Sequence, residues 1–309
     1  MGRTQPLRRE GGFLECGTRA PGAIQSEKVT RSKNQRLVRA SGVEKVSSPA
    51  LLLGDSHICL ELIVYPWPIM PPFEPLTLSV IICTRNRAPL LDRCLKKFND
   101  AQPFPKGWEL IVVDNNSSDD TKAVILKYAD SAPLHVRYVF ESRQGLSHAR
   151  NRGIAEAANP IIAFTDDDCL IDRLWATTIV REFSADRFLA VLGGRVEPDN
   201  SSGQTLGMRR YSDRKQISSF EELSGRMIGC NMAFSRKTFE AIGVFDPLFG
   251  KGTSSGSAED LDLLYRAFKE RLTIVYVPEA VVVHAHGRTS RSVIQQVSDD
   301  YAKGRGGFY

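Results

Sequence analysis

From residue 76 onward, apolar positions fall into short unbroken runs, separated by polar turns and by stretches with helical spacing. "LTLSVIICT" (76–84) is β-rich and apolar throughout, the pattern of a strand covered on both faces. It stops at Arg85-Asn86-Arg87, and Pro89 then opens a helix whose stripe is Leu90, Leu91, Cys94, Leu95 and Phe98. "ELIVVD" (109–114) repeats the strand pattern and runs into the polar turn "NNSSDD", after which Ile125, Tyr128 and Ala129 share a helix face. A third strand, "VRYVF" (136–140), leads to a helix with Leu146, Ala149, Gly153, Ile154 and Ala157 in line. A fourth run, Ile161-Ile162-Ala163-Phe164, ends in Thr165 and three consecutive aspartates, Asp166–Asp168.

Strand–helix alternation over about 90 residues predicts an α/β fold with a mostly parallel twisted sheet flanked by helices. In such sheets ligands sit beyond the carboxyl ends of the strands. The polar groups at those ends are Thr84 and Arg85, Asp114, and Asp166–Asp168, so all three sets rim one crevice. Three adjacent carboxylates repel one another by roughly a kcal/mol per pair even in water-like surroundings. Either they are solvated and cap the next helix, or a divalent cation completes them. The convergence on one crevice weakens the first alternative. Neither GxGxxG nor GxxxxGK[ST] follows the first strand, so phosphates bound here need a metal and basic side chains.

Residues 1–75 break this pattern. The first fifty show no apolar periodicity and are expected to be disordered. Residues 51–72, "LLLGDSHICLELIVYPWPIMPP", are apolar, but Asp55, His57 and Glu61 interrupt them and four prolines end any helix. They read as a docking segment at a membrane face or as an extension without a fold of its own. The net charge of +5 sits here too: residues 1–50 hold ten Lys/Arg against four Asp/Glu, a balance of +6 that leaves the remainder at about −1. A near-neutral folded part argues against nucleic acid as a partner. Six cysteines without CxxC pairs, and no apolar leader, predict reduced thiols in a cytoplasmic protein.

The blocks "SVIICTRNRAPLLDRCL", "LIVVDNNSSDDT", "GLSHARNRGI", "IIAFTDDDC", "GCNMAFSRKTFEAIGVFDPLFG", "SAEDLDLLYRAFK" and "VYVPEAVVVHAH" stand in an order that resembles family 2 glycosyltransferases with a GT-A fold. The resemblance runs from about residue 77 to 286. It implies a domain over 76–309, with a nucleotide-sugar-binding half (76–180) and an acceptor and catalytic half (181–309).

The resemblance also assigns roles. Asp114 contacts the nucleoside, although an Asp before such a turn also suits capping; Asp119 reads more as a cap. Asp166 and Asp168 flank Asp167 in the metal motif, with Asp168 as ligand to Mn²⁺ or Mg²⁺, Asp166 near the nucleotide and Asp167 toward the ribose. Carboxylates suit such ions, which take one or two acids plus phosphates and water. His284 falls where relatives place an imidazole on the metal, with His286 as the lesser candidate. Asp260 is the general base and Glu259 orients the acceptor, against the alternative that both serve the helix dipole. Arg150 supports the phosphate region or is a surface residue; Thr84, Arg85 and Arg87 are candidates of the same kind. Asp262 and Arg266, four residues apart, pair on the helix surface.

The implied reaction is inverting transfer from a nucleotide-diphosphate sugar to a saccharide or lipid-linked saccharide hydroxyl. A nucleotidyltransferase would carry glycines in "CTRNRAPL", and a silent binding module would have lost the acids. Residues 193–227 are expected over the acceptor side, and the Gly/Ser-rich stretch 249–260 is expected to close over the donor.

Overall fold

The computed structural model describes residues 76–285, except 102, 103, 105, 106 and 200–207, and a few isolated positions beyond 285. The expected disordered extension over 1–75, its apolar segment 51–72, and His286 lie outside the described residues.

The first half alternates as its pattern predicts: β1 (Leu78–Thr84), α1 (Ala88–Phe98), β2 (Glu109–Asp114), α2 (Thr121–Ala129), β3 (His135–Phe140), α3 (Leu146–Glu156) and β4 (Ile161–Asp166). These four strands lie parallel in the order β3-β2-β1-β4. Side chains of β1, β2 and β4 are almost wholly buried, as continuous apolar runs require, whereas β3 is partly exposed because it forms the sheet edge.

The chain continues through β5 (Cys169–Ile171), α4 (Trp175–Ala185), β6 (Leu189–Pro198), β7 (Lys215–Gln216), α5 (Phe220–Arg226), β8 (Asn231–Ser235), α6 (Arg236–Ile242), α7 (Glu259–Lys269) and β9 (Thr273–His284). These strands extend the same sheet in the order β3-β2-β1-β4-β8-β6-β9-β5, with β7 alongside β9. β8 runs antiparallel to β4 and β6, β6 runs parallel to β9, and β5 and β7 run antiparallel to β9. The sheet is thus parallel across β3-β2-β1-β4 and mixed beyond β4.

Alternation along β1 sends Leu78, Val80 and Ile82 to one face and Ile81 to the other. The first face packs on α1, α2 and α4 around Phe98 and Trp175. The second packs on α3, α6 and α7, where Phe164 meets Phe234, Phe239 and Phe245 edge-on. In α7 the buried apolar residues are Leu263, Leu264 and Ala267. Leu261 and Leu264 also line a cleft above the sheet.

Pairing of β6 with β9 is interrupted by a bulge in β9 between Val277 and Val281, opposite Gly194 and Arg195, where Asn231 donates to the carbonyls of Arg195 (2.8 Å) and Ala280 (2.9 Å) and accepts from the Trp175 indole (2.8 Å). A Cβ at Gly194 would lie 2.1 Å from the Ala280 carbonyl oxygen, so only glycine lets β6 and β9 approach here. This bulge lets β9 run on until His284 pairs with Pro198.

Candidate active site

Register brings the expected residues to one edge. Thr84 of β1 stands level with Asp114 of β2, and Cys83 with Asp166 of β4. The loops beyond are tied together. Asn86 accepts from the Ser118 amide (2.7 Å), and Asn115 accepts from the Gly145 amide (2.9 Å) while donating to the Arg143 carbonyl (2.7 Å). Asn86 and Asn116 have φ of 52° and 61°, the left-handed region that asparagine tolerates. An open cleft of about 1240 Å³ lies over these ends.

Asp114 is buried and absent from the described cleft wall. Its oxygens accept from the Ser117 amide (2.9 Å) and the Tyr138 hydroxyl (3.1 Å), and the next residue, Asn115, lines the cleft. Asp119 accepts from the amides of Thr121 and Ala88, so it ties the starts of two helices as a cap. Arg85 is exposed on the rim.

The aspartate triplet has a cation of its own. Arg87, just before α1, spans Asp167 (Nη1–Oδ1 2.7 Å) and Asp168 (Nη2–Oδ2 2.6 Å), and Thr84 donates to the second oxygen of Asp167 (2.7 Å). Burial pushes the Asp167 carboxyl up to about 7, against the pull of Arg87 and with the repulsion of Asp168. Burial also opposes the charge on Asp168, but His284 and Arg87 outweigh it and hold that carboxyl well below the usual range. Asp166 is raised by burial, only partly offset by Arg150.

His284 reaches this group through strand pairing. β5 sets Cys169 opposite His284, and the Ala285 amide donates to the Asp168 carbonyl (2.8 Å). His284 Nε2 then lies 3.3 Å from Asp168 Oδ1. Burial lowers the proton affinity of this imidazole, yet the Asp168 carboxylate more than compensates and raises it to about 9. One ligand atom each of Asp168, Cys169 and His284 fall within 4.8 Å of one another. An oxygen and an imidazole nitrogen at this spacing suit a divalent ion; Cys169 joins them although no spacing along the chain singled it out. The four described cysteines are free thiols.

Across the cleft, Arg150 is buried rather than on the surface. Its guanidinium pairs with Glu259 (2.7 Å), approaches Asp166 (3.5 Å) and covers the Phe245 ring (5.2 Å). The two partners respond differently. Arg150 is held charged by Glu259, whereas burial and the repulsion of Asp260 push Glu259 up to about 7 in spite of Arg150. Asp260 is half-buried on the cleft wall, and its Oδ2 accepts from the Gly229 amide at 2.7 Å. A Cβ at Gly229 would lie 2.9 Å from that oxygen and 3.1 Å from Arg150. Glycine is therefore what admits the contact. Glu259 and Asp260 follow Ala258, whose φ of 78° is strained for a residue with a side chain. Asp262 and Arg266 pair at 2.7 Å as expected, and Arg266 also donates to the Val244 carbonyl (2.8 Å).

The stretch 249–260 borders the cleft with Lys251, Gly252, Gly256 and Ser257, and is tied to α3 by the Leu146 amide on the Lys251 carbonyl (3.0 Å). The linear pattern also did not reveal the contacts of Arg87 and Gly229, which lie in the blocks "TRNR" and "GCN" already singled out.

Residues 79–243, just over half of the chain, match the model of the family described as glycosyl transferase family 2. The chain is 30% identical over 170 residues to the glycosyltransferase AglE of Haloferax volcanii, covering 54% of this chain and 55% of that protein. It is 38% identical over 93 residues to a GalNAc(5)-diNAcBac-PP-undecaprenol beta-1,3-glucosyltransferase of Campylobacter jejuni, covering 29% of each. The chain thus spans about half the length of the first and under a third of the second. In fold it is similar to a mannosyltransferase of Pyrobaculum calidifontis solved in complex with GDP-Man and Mn²⁺, with a TM-score of 0.52 and 24% identity, covering 72% of this chain and 61% of that one.

Proposed function

Because the chain belongs to glycosyl transferase family 2, we propose that it moves a sugar from a nucleotide-diphosphate sugar to an acceptor hydroxyl, inverting the anomeric centre. The observation that carries this reading is the position of Asp260 on the same cleft wall as Asp166–Asp168 and His284. A base and an acidic cation site facing one space are what a single displacement at a sugar needs.

The nucleoside end of the donor lies over the ends of β1 and β2, at Thr84, Arg85 and Asn115, with Asp114 holding the turn beneath. Asp168 and His284, with Asp166, would hold Mn²⁺ or Mg²⁺, and the ion when bound stabilises charge on the leaving diphosphate. Asp260 takes the proton of the attacking hydroxyl. The Gly229 amide holds its Oδ2 (2.7 Å) and the Leu261 amide its Oδ1 (2.8 Å), and a carboxylate oxygen that accepts one hydrogen bond keeps a lone pair for the acceptor hydroxyl. Glu259, steadied by Arg150, orients the acceptor. Residues 76–309 form the catalytic domain, 76–180 for the donor and 181–309 for the acceptor.

An acceptor that is a saccharide or a lipid-linked saccharide agrees with the name of the Campylobacter relative. No helix among the described residues is long and apolar enough to cross a membrane, so work on a lipid-linked acceptor would occur at a membrane face. The test is a screen of nucleotide sugars for donor hydrolysis with and without Mn²⁺. Metal-dependent release of a nucleoside diphosphate from at least one donor is expected. Activity toward none of them, in protein that is folded, counts against the proposal.

A further inference from the structure

The cleft wall beyond the carboxylates carries one phenylalanine, tyrosine or tryptophan among its described residues, Tyr211. It follows β6 in the segment that crosses back toward α5. Its ring is held from several sides. The guanidinium of Arg226 covers one face at 4.1 Å from the ring centre, and is itself clamped by both oxygens of Asp213 (3.1 and 3.0 Å). The Tyr276 ring meets it edge-on, 5.9 Å between centres at 84°, and the Tyr276 hydroxyl donates to the Tyr211 carbonyl at 3.2 Å. Despite these contacts Tyr211 is 42% exposed. Arg226 covers one face, Tyr276 braces the ring, and the surface that stays exposed borders the cleft.

An exposed aromatic is ordinary by itself. A pinned one inside a binding cleft is not, because its ordering is already complete before a ligand arrives. The sheet order says which ligand. The nucleoside end lies at β1 and β2, and the metal-binding group at the end of β4. Tyr211 packs on Tyr276 of β9, past β8 and β6, on the side away from the nucleoside. Tyr276, against which it packs, shares a sheet face with α7, and α7 carries Asp260. Beside it on α5, Glu221 and Ser224 line the cleft and offer hydrogen-bonding groups for hydroxyls. An aromatic face carries negative potential and attracts the positively polarised C–H groups on one side of a pyranose.

We propose that Tyr211 is the stacking platform for a pyranose ring of the acceptor, held by Arg226 and Tyr276 with its free face to the cleft. It is a binding residue that selects a saccharide acceptor. The proposal rests on the glycosyl-transfer reading of the cleft.

The test is saturation-transfer NMR on the full chain with Mg²⁺ and UDP or GDP, using methyl glycosides of glucose, galactose, mannose and N-acetylglucosamine as probes. At least one glycoside is expected to take up saturation on the C–H groups of one ring face. Tyr211→Ala and Tyr211→Leu should weaken that binding by about three- to tenfold, and Tyr211→Phe should stay within about twofold of wild type. Nucleoside diphosphate binding should be equal in all four proteins. Glycoside binding unchanged in Tyr211→Leu, or absent from a protein that binds the nucleoside diphosphate, overturns the platform and leaves the donor site standing. A wild-type chain that binds neither UDP nor GDP overturns the donor-site reading and the platform with it.

Discussion

Arg87 Nη2 lies 2.6 Å from Asp168 Oδ2, so the residue expected to hold a metal is already gripped by a guanidinium from the first βα loop. The same guanidinium reaches Asp167 at 2.7 Å. A cation is thus built into the chain where three carboxylates meet. Two like charges at about 4 Å cost roughly 4 kcal/mol at the effective dielectric of a protein surface, so the triplet needs such a partner.

Arg87 and a divalent ion should therefore compete for Asp168. Arg87→Met is expected to lower the stability of metal-free protein by about 1–3 kcal/mol. That is below the range for a fully buried pair, because the Arg87 side chain is 31% exposed. It should also tighten Mn²⁺ binding in the absence of nucleotide, and Mn²⁺ should restore most of the lost stability. Melting curves and calorimetry with and without Mn²⁺ decide it; unaltered Mn²⁺ affinity in the variant means the arginine does not compete.

Removal of metal bears on Asp168 and His284. EDTA should abolish donor hydrolysis, and Mn²⁺ or Mg²⁺ should restore it. Asp168→Ala should lose metal-dependent nucleotide binding while keeping a cooperative melt, and His284→Gln should weaken metal binding without abolishing it. Full activity in a preparation shown to be free of divalent ions would falsify the metal assignment.

The pH dependence of metal-free stability has a definite sign. Glu259 is raised from 4.5 to about 7, Asp167 from 3.8 to about 7, and His284 from 6.5 to about 9. In each case the folded chain keeps a proton that the unfolded chain has released. Their contribution is complete below the unfolded values and is lost as pH rises through the folded ones. Melting temperature in EDTA should therefore fall from mildly acidic pH to about pH 9, the carboxyl groups acting up to about 7 and His284 above. Asp168 acts oppositely: its carboxyl is depressed, so its contribution is lost only on acidification below 3.8. Glu259→Gln should flatten the lower part of the decline. A melting temperature that rises steadily over this range contradicts the assignment.

Base and orienting residue separate kinetically. Asp260→Asn keeps the size and one accepting oxygen for either the Gly229 or the Leu261 amide, but cannot take the proton of an acceptor. General-base catalysis is worth about 10²–10⁴-fold, so kcat should fall by that order with affinity for the nucleoside diphosphate nearly unchanged. Glu259→Gln should be milder on kcat and act more on acceptor KM. If Glu259→Gln is the more damaging at equal donor affinity, the proton is taken one residue earlier. If Asp260→Asn weakens nucleotide binding in step with activity, it belongs to the donor site.

Unbroken apolar runs sufficed to place β1, β2 and β4, because a strand buried on both faces leaves no other pattern, and Asp114 and Asp166–Asp168 were legible as acids at the ends of such strands, with Glu259–Asp260 at the start of a helix. Of the groups those acids meet, the family resemblance pointed to His284 beside Asp168, and the apolar pattern pointed to none. His284 reaches Asp168 only because β5, three residues long, pairs with the end of β9, and a strand that short shows no period to read. Arg150 read as a support of the phosphate region or as a surface residue, and its burial over Glu259 follows from α3 and α7 packing on one sheet face. The Gly229 amide meets Asp260 through the antiparallel pairing of β8 with β4, and Arg87 meets the triplet through the turn at the end of β1. Local pattern determines elements because backbone hydrogen bonding and burial repeat along the chain. Contacts between distant side chains depend on register and packing, which only the assembled sheet decides.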